Sequence, residues 1–338
     1  MLAEKQILTL LRVLTVSFIA LASTTQASLS AETVTIIVGG IEKQIYLPAK
    51  LTDSLGYFRD EGLDVQLLSE RSGVDAVDEL LAGKVQGVIG FYDHCVDLQS
   101  KGKFVESIVQ LALTPGEVEL VSTRHPEIQS PSDFRGKTLG VTGLGSSSNF
   151  LTQYLAVKSG VALGEFTSIP VGSGDVFISA MRQDLIQAGM TTEPTVSRLL
   201  NAGEAKILVD LRSPDTTRQF LGGTYPGASL FLDTRWIEGH RDIAQKLANA
   251  FVRSLHYIAT HSADDIADKL PVEFMAGDRA TYVASLAVSK QMFTVDGLMP
   301  EDGPKTVFNV LQAFSRNMKG KTIVLSKTYR TEFAKAAK

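Results

Sequence analysis

A single cysteine, Cys95, in 338 residues leaves no intrachain disulfide possible, so stability must come from a buried core, which a chain of this length can supply. Basic residues are in no excess. There are 33 Lys and Arg against 37 Asp and Glu, a net charge of −4, and without a basic run or stripe nucleic acid is excluded as an expected partner. Long apolar runs are scarce as well. The one near the N-terminus, VLTVSFIALA at Val13–Ala22, falls well short of the roughly 20 residues a spanning helix needs. It follows Lys5 and Arg12 and gives way to STTQAS, with Thr25-Gln26-Ala27 at its end, which is the pattern of a secretory signal over residues 1–27. No cysteine stands there to carry a lipid. The expectation is an exported, soluble, periplasmic monomer and not a lipoprotein.

Catalytic and metal motifs are missing too. Gly140 and Gly145 have the glycine spacing of a phosphate-binding loop, but Ser146 occupies the position of its lysine. Gly143 and Gly145 begin a dinucleotide fingerprint, but Ser148 stands in place of the third glycine. The GASLF around Ser229 lacks the last glycine of a nucleophile elbow. His256 and His261 would lie about 140° apart around a helix, poorly placed to share a metal. No metal and no cofactor are expected. Asp93, His94 and Ser146–Ser148 leave a triad open in principle, since triads are defined by geometry. Cys95 beside His94 is a weak thiol candidate, because neighbouring residues at a strand end point opposite ways.

What is present is an internal echo. Ser72–Val88 (SGVDAVDELLAGKVQGV) aligns with Ser173–Gly189 (SGDVFISAMRQDLIQAG). Each follows a strand and reads Ser-Gly, amphipathic helix, short strand, which gives two βαβ units and parallel sheets flanked by helices. Ligands in such sheets bind beyond the carboxyl ends of the strands. That brings forward the loops at Gly39–Gln44, Glu70–Gly73 and Phe91–His94 in one half, and those at Gly143–Asn149, Gly172–Asp175 and Thr191–Pro194 in the other. The GLGSSSN loop opens a helix whose free first-turn N–H groups and hydroxyls suit an anion; simple N-capping by one serine is the plainer reading. Helices follow from Asp233 or Thr234 through Ile243, Leu247, Phe251, Leu255 and Ile258, then near 279–293 and 305–317. Trp236 and Phe251 read as core. Crossings near Leu120 and Ser229 make a hinge, and Tyr225 in GGTYPG is placed to close over a ligand.

In order, GYFRDEGLDV (Gly56–Val65), SPSDFRGKTLGV (Ser130–Val141) followed by GSSSN, and TEPTVSRLL (Thr192–Leu200) resemble the periplasmic solute-binding proteins of nitrate, sulfonate and taurine importers, relatives of the thiamine-pyrimidine-precursor-binding proteins. The resemblance covers about Val34–Lys335. It implies an α/β, two-lobed periplasmic binding fold of type II, with lobe 1 at residues 32–119 and 228–338, lobe 2 at 120–227 and the ligand cleft at the hinge. It also implies no catalysis, and delivery of a solute to an ABC permease with its ATPase. The solute is a small anion of the sulfonate, taurine or nitrate type, or alternatively a pyrimidine, another heteroaromatic or an aromatic carboxylate. Gly145, Ser146, Ser147, Ser148 and Asn149 carry over as the anion-holding loop, and Glu193 as a polar residue facing the cleft. Lys43, Gln44, Tyr92, Asp93 and His94 complete the candidate set from the other lobe, and with Lys43, Asp93 and Glu193 together the cleft need not hold a simple anion.

Overall fold

The sequence echo becomes a repeated architecture. The structure, a computed structural model, describes residues 32–275 and 278–337; the expected signal segment lies outside them. One sheet holds strands β1 (Glu32–Val38), β2 (Leu63–Ser69), β3 (Gly87–Phe91), β4 (Val105–Gln110) and β10 (Ala228–Asp233), in the order β2-β1-β3-β10-β4. The other holds β5 (Glu117–Ser122), β6 (Thr138–Val141), β7 (Thr167–Pro170), β8 (Ala188–Thr192) and β9 (Ala205–Asp210), in the order β7-β6-β8-β5-β9. The two orders superpose strand for strand. In each, β1 or β6 pairs in parallel with both neighbours, and a single strand, β10 or β5, runs antiparallel to the strands beside it. Those two strands are the ones reached by crossing between the sheets, through residues 111–116 and 211–227.

The aligned segments take up equivalent positions. Helix α1 (Gly73–Leu81) leads to β3, as helix α4 (Gly174–Arg182) leads to β8. The α1 start is capped by Ser72, whose side chain accepts from the Asp75 N–H, and its apolar face buries Ala76, Val77 and Leu80. Between these helices lie α2 (Asp93–Ser100) and α3 (Ser147–Lys158); α5 (Thr195–Asn201) follows β8. Each therefore starts at the carboxyl end of a strand, where the two sheets face each other.

The later part of the chain is helical, with one departure from the sequence reading. The segment expected as one helix from Asp233 onward breaks at His240, whose φ of −140° and ψ of 45° leave the helical region. A short helix, Thr234–Gly239, is capped by Asp233; α6 (Arg241–Thr260) then runs on, burying Ile243, Leu247, Phe251, Leu255 and Ile258. Phe251 packs edge-to-face on Phe58 at 5.4 Å. Trp236 is only half-buried and stacks on His240. Helices α7 (Arg279–Ser289) and α8 (Gly303–Phe314) complete this region. Among the described residues no helix is long and apolar enough to cross a membrane.

Candidate functional site

The three serines divide their work. Ser146 precedes α3 in extended conformation and its side chain does not cap the helix. Its hydroxyl instead donates to the Gly143 carbonyl at 2.7 Å and meets the Ser148 hydroxyl at 2.9 Å. Ser148 accepts from the Thr142 N–H at 2.9 Å. Together with Thr142 these hydroxyls close a buried knot that fixes the turn. Ser147 points the other way and donates to Asp93 Oδ1 at 2.8 Å. The first backbone acceptor contact of the helix is Phe150 N–H to Ser146 O, so the N–H groups of Ser147, Ser148 and Asn149 have no acceptor among the described residues. A helix start in this state carries a partial positive charge aimed at the cleft.

Across the cleft the first sheet supplies charge of both signs. Lys43 is buried, and its ammonium donates to the carbonyls of Gly39 at 2.6 Å and Arg71 at 3.2 Å. Burial lowers its pKa against the pull of Glu42, Glu117 and Asp75. Asp93, at the first turn of α2, accepts from Ser147 of one sheet's helix and from the Tyr225 hydroxyl at 2.8 Å. One carboxylate thus joins both lobes to the crossing segment. Burial raises its pKa, partly offset by His94 and these two hydrogen bonds. Glu117, on the crossing strand β5, is buried with Oε2 unpartnered. Burial first, and the Asp93 charge second, push its pKa well above the usual carboxylate range.

The candidates gather at two cavities, with a wall between them. The inner cavity, of about 10 Å³, has room for about one water. Lys43, Ser146 and Ser147 line it with Tyr46, Glu117 and Thr192. The outer cavity, of about 600 Å³, is bordered by His94, Gly145 and Asn149. The wall is made by close approach: a Cβ on Gly73 would meet His94 Nε2 at 2.8 Å, and a Cβ on Gly143 would meet Ser72 Oγ at 2.6 Å. Further contacts close the lobes on each other, from Gln44 N–H to the Glu193 carbonyl at 3.1 Å and from the Ser173 hydroxyl to Glu42 at 3.0 Å.

Four candidates have side chains engaged elsewhere. Gln44 is held by Tyr282 O, Ser285 and Ser289 of α7. Tyr92 turns into the core, its hydroxyl bonded to Thr328. Ser148 belongs to the knot. The Glu193 carboxylate anchors α5 through the Ser197 N–H at 2.9 Å and pairs with Arg212 at 2.7 Å. Glu117, Thr142 and Tyr46 are the lining or supporting residues that sequence reasoning missed, while Thr192 lies in the Thr191–Pro194 loop it brought forward. Tyr225 is buried against Asp93 and lies on the crossing, where the sequence placed it.

Among the described residues no serine hydroxyl is hydrogen-bonded to His94, and Ser147 is held by a carboxylate with no imidazole between them. Cys95 is buried, and that burial raises its thiol pKa well above the ordinary value. No group of three or more metal-ligating side chains occurs among the described residues.

Comparison with known proteins agrees with this architecture. Residues 47–264 match the family described as NMT1/THI5 like. A solved protein of Bordetella bronchiseptica RB50 is 32% identical, with 90% of this chain and 96% of that chain covered at a TM-score of 0.87. The alkanesulfonate-binding protein SsuA from Xanthomonas axonopodis pv. citri, bound to MOPS, is 14% identical over 88% of this chain and 98% of its own, at a TM-score of 0.71. The periplasmic nitrate-binding protein NrtA from Synechocystis PCC 6803 is 12% identical over 90% of this chain and 88% of its own, at a TM-score of 0.70. No curated protein matches the sequence.

Proposed function

The chain belongs to the NMT1/THI5-like family, and from that premise we propose that it captures a small solute between its lobes and delivers it to an ABC permease from the periplasm, without catalysing a reaction. Solute enters when the lobes part about the segments 111–116 and 211–227, because the inner cavity as closed admits little more than a water. Hinge opening of this kind biases a two-state equilibrium that bound solute then shifts.

The solute class follows from the pairing of charges. An anionic group suits the free N–H groups at the α3 start. Glu117, buried and with an unpartnered oxygen in the same cavity, carries the reading further: it calls for an N–H donor or a cation on the same solute. A neutral carboxyl donates its one O–H to a simple inorganic anion but leaves its carbonyl oxygen unpartnered, and an ionised one repels the anion. We therefore assign a compact solute with both an acidic group and N–H donors, an aminosulfonate zwitterion or an amino-substituted heteroaromatic, ahead of nitrate.

Taurine and ethanesulfonate differ only by the amine, and they test this directly. Thermal-shift and calorimetric titrations should favour taurine, by at least about tenfold or roughly 1.4 kcal/mol, and Glu117→Gln should narrow the gap. At 100 times its dissociation constant a solute adds about 2.7 kcal/mol of stability. Among aminopyrimidines the same preference for the amino form over its unsubstituted parent is expected. Tighter binding of nitrate or of the amine-free partners would refute the assignment.

A further inference from the structure

The outer cavity is a separate chamber with its own chemistry. Its walls come from α1 and α2 of one lobe, from the α3 start of the other, and from the segment after α8. They are largely hydrocarbon, with Val77, Leu81, Leu144, Phe150, Leu163 and Phe314 at the lining. Two polar side chains on this lining are almost wholly buried yet incompletely bonded: His94, 2% exposed, and Asn149, 3% exposed. The Asn149 amide orientation is fixed, because Oδ1 accepts from the Gly145 N–H at 3.0 Å and from Gln153 Nε2 at 3.2 Å. A flipped amide would set donor against donor. Nδ2 is therefore a genuine buried donor without an acceptor, and leaving such a group unpaired is costly.

The charges at the rim have a sign. Lys101, Lys103 and Arg316 stand against Asp78 and Asp97. Lys101 is taken up by Asp97 at 2.7 Å, while Lys103 and Arg316 make no ion pair among the described residues. A volume of about 600 Å³ is in the range of small-molecule sites, whose usual form is an apolar chamber with a few convergent polar groups.

We propose that this cavity is a second ligand site, for an amphipathic monoanion: a hydrocarbon body against the Leu and Phe walls, its carboxylate or sulfonate facing Lys103 and Arg316, with Asn149 in the lining beside it. It is distinct from the inner cavity, from which the Gly73–His94 and Gly143–Ser72 contacts divide it.

The probe is 1-anilinonaphthalene-8-sulfonate, titrated by fluorescence against the full chain. Binding should saturate at one equivalent, and the side-chain amide resonances of Asn149 should shift along the same isotherm. The double change Lys103→Glu, Arg316→Glu should weaken binding at least about tenfold. Leu144→Asp should do the same, and because Leu144 is 54% exposed this change spares the fold. Glu117→Gln should leave probe affinity as it is, which separates failure here from failure of the solute-capture reading. Absence of saturable binding, an unmoved Asn149 amide, or wild-type affinity in the Leu144 and double variants would each overturn the proposal.

Discussion

Glu119 offers a quantitative test of how the crossing strand is buried. It lies on β5 two residues from Glu117, on the same side of the strand, fully buried with Oε1 unpartnered and Oε2 accepting from the Thr152 hydroxyl at 2.8 Å. Burial raises its pKa from 4.5 to about 8, and the Thr152 bond only partly opposes this. Between those values the folded chain holds a proton that the unfolded chain has released. Stability from this group is thus fully present below about pH 4.5 and is lost as pH rises toward 8. The loss runs at about 1 kcal/mol or slightly more per pH unit, on the order of 5 kcal/mol in all as a ceiling. Glu119→Gln keeps the shape and removes the proton. At pH 5 the variant should match the wild type to within about 1 kcal/mol, since a neutral carboxyl and an amide are near-isosteric. By pH 8.5 it should be the more stable by several kcal/mol. Urea unfolding from pH 5 to 9, followed through the single tryptophan, gives midpoints whose difference isolates this group from Asp93 and Glu117. Parallel midpoint curves for the two proteins would show that Glu119 is solvated or already ionised, and would refute the argument.

Other consequences are open to simpler measurement. Ser148→Ala strips the acceptor from the buried Thr142 N–H and should lower stability by about 1–3 kcal/mol with little change in solute affinity, whereas Ser147→Ala takes the donor from the buried Asp93 Oδ1, a loss of the same order, and should change solute affinity as well; titrations in which both variants bind alike would sink the division. Gly143→Val sets a side chain into Ser72 and Val74 of the facing lobe, with the first contact at 2.6 Å, so solution scattering should give a larger radius of gyration than wild type; an unchanged radius would mean the wall yields. Export by the N-terminal segment predicts recovery of the chain in the osmotic-shock fraction of cells carrying the full gene, and retention in salt-washed membranes would contradict it.

How much of this was legible follows from what each signal measures. The repeated strand–Ser-Gly–helix–strand pattern depends on local periodicity and capping, and periodicity survives folding; hence β3 and β8, α1 and α4 appear where the two aligned segments put them. Topology then placed the loops, because a parallel strand must end where the next helix begins. Side-chain direction is a different matter. Tyr92, Asp93 and His94 are consecutive, yet one enters the core, one bridges the lobes and one borders the outer cavity, a divergence set by the first turn of α2 that letters do not carry. Glu117 and Glu119 were missed for the opposite reason. In EVELVS the alternation of acidic and apolar residues reads as a strand with one face in water. The strand instead lies inside its sheet, between β8 and β9, with α3 against its acidic face through Thr152. An alternating pattern reports polarity of a face; only the neighbours decide whether that face meets water or a cleft. Since β5, like β10, is entered directly from a crossing between the sheets, the acid at its start lies beside Lys43 and Asp93 of the other lobe. That is why the carboxyls that the sequence left unremarked are the ones on which the choice of solute and the pH response now turn.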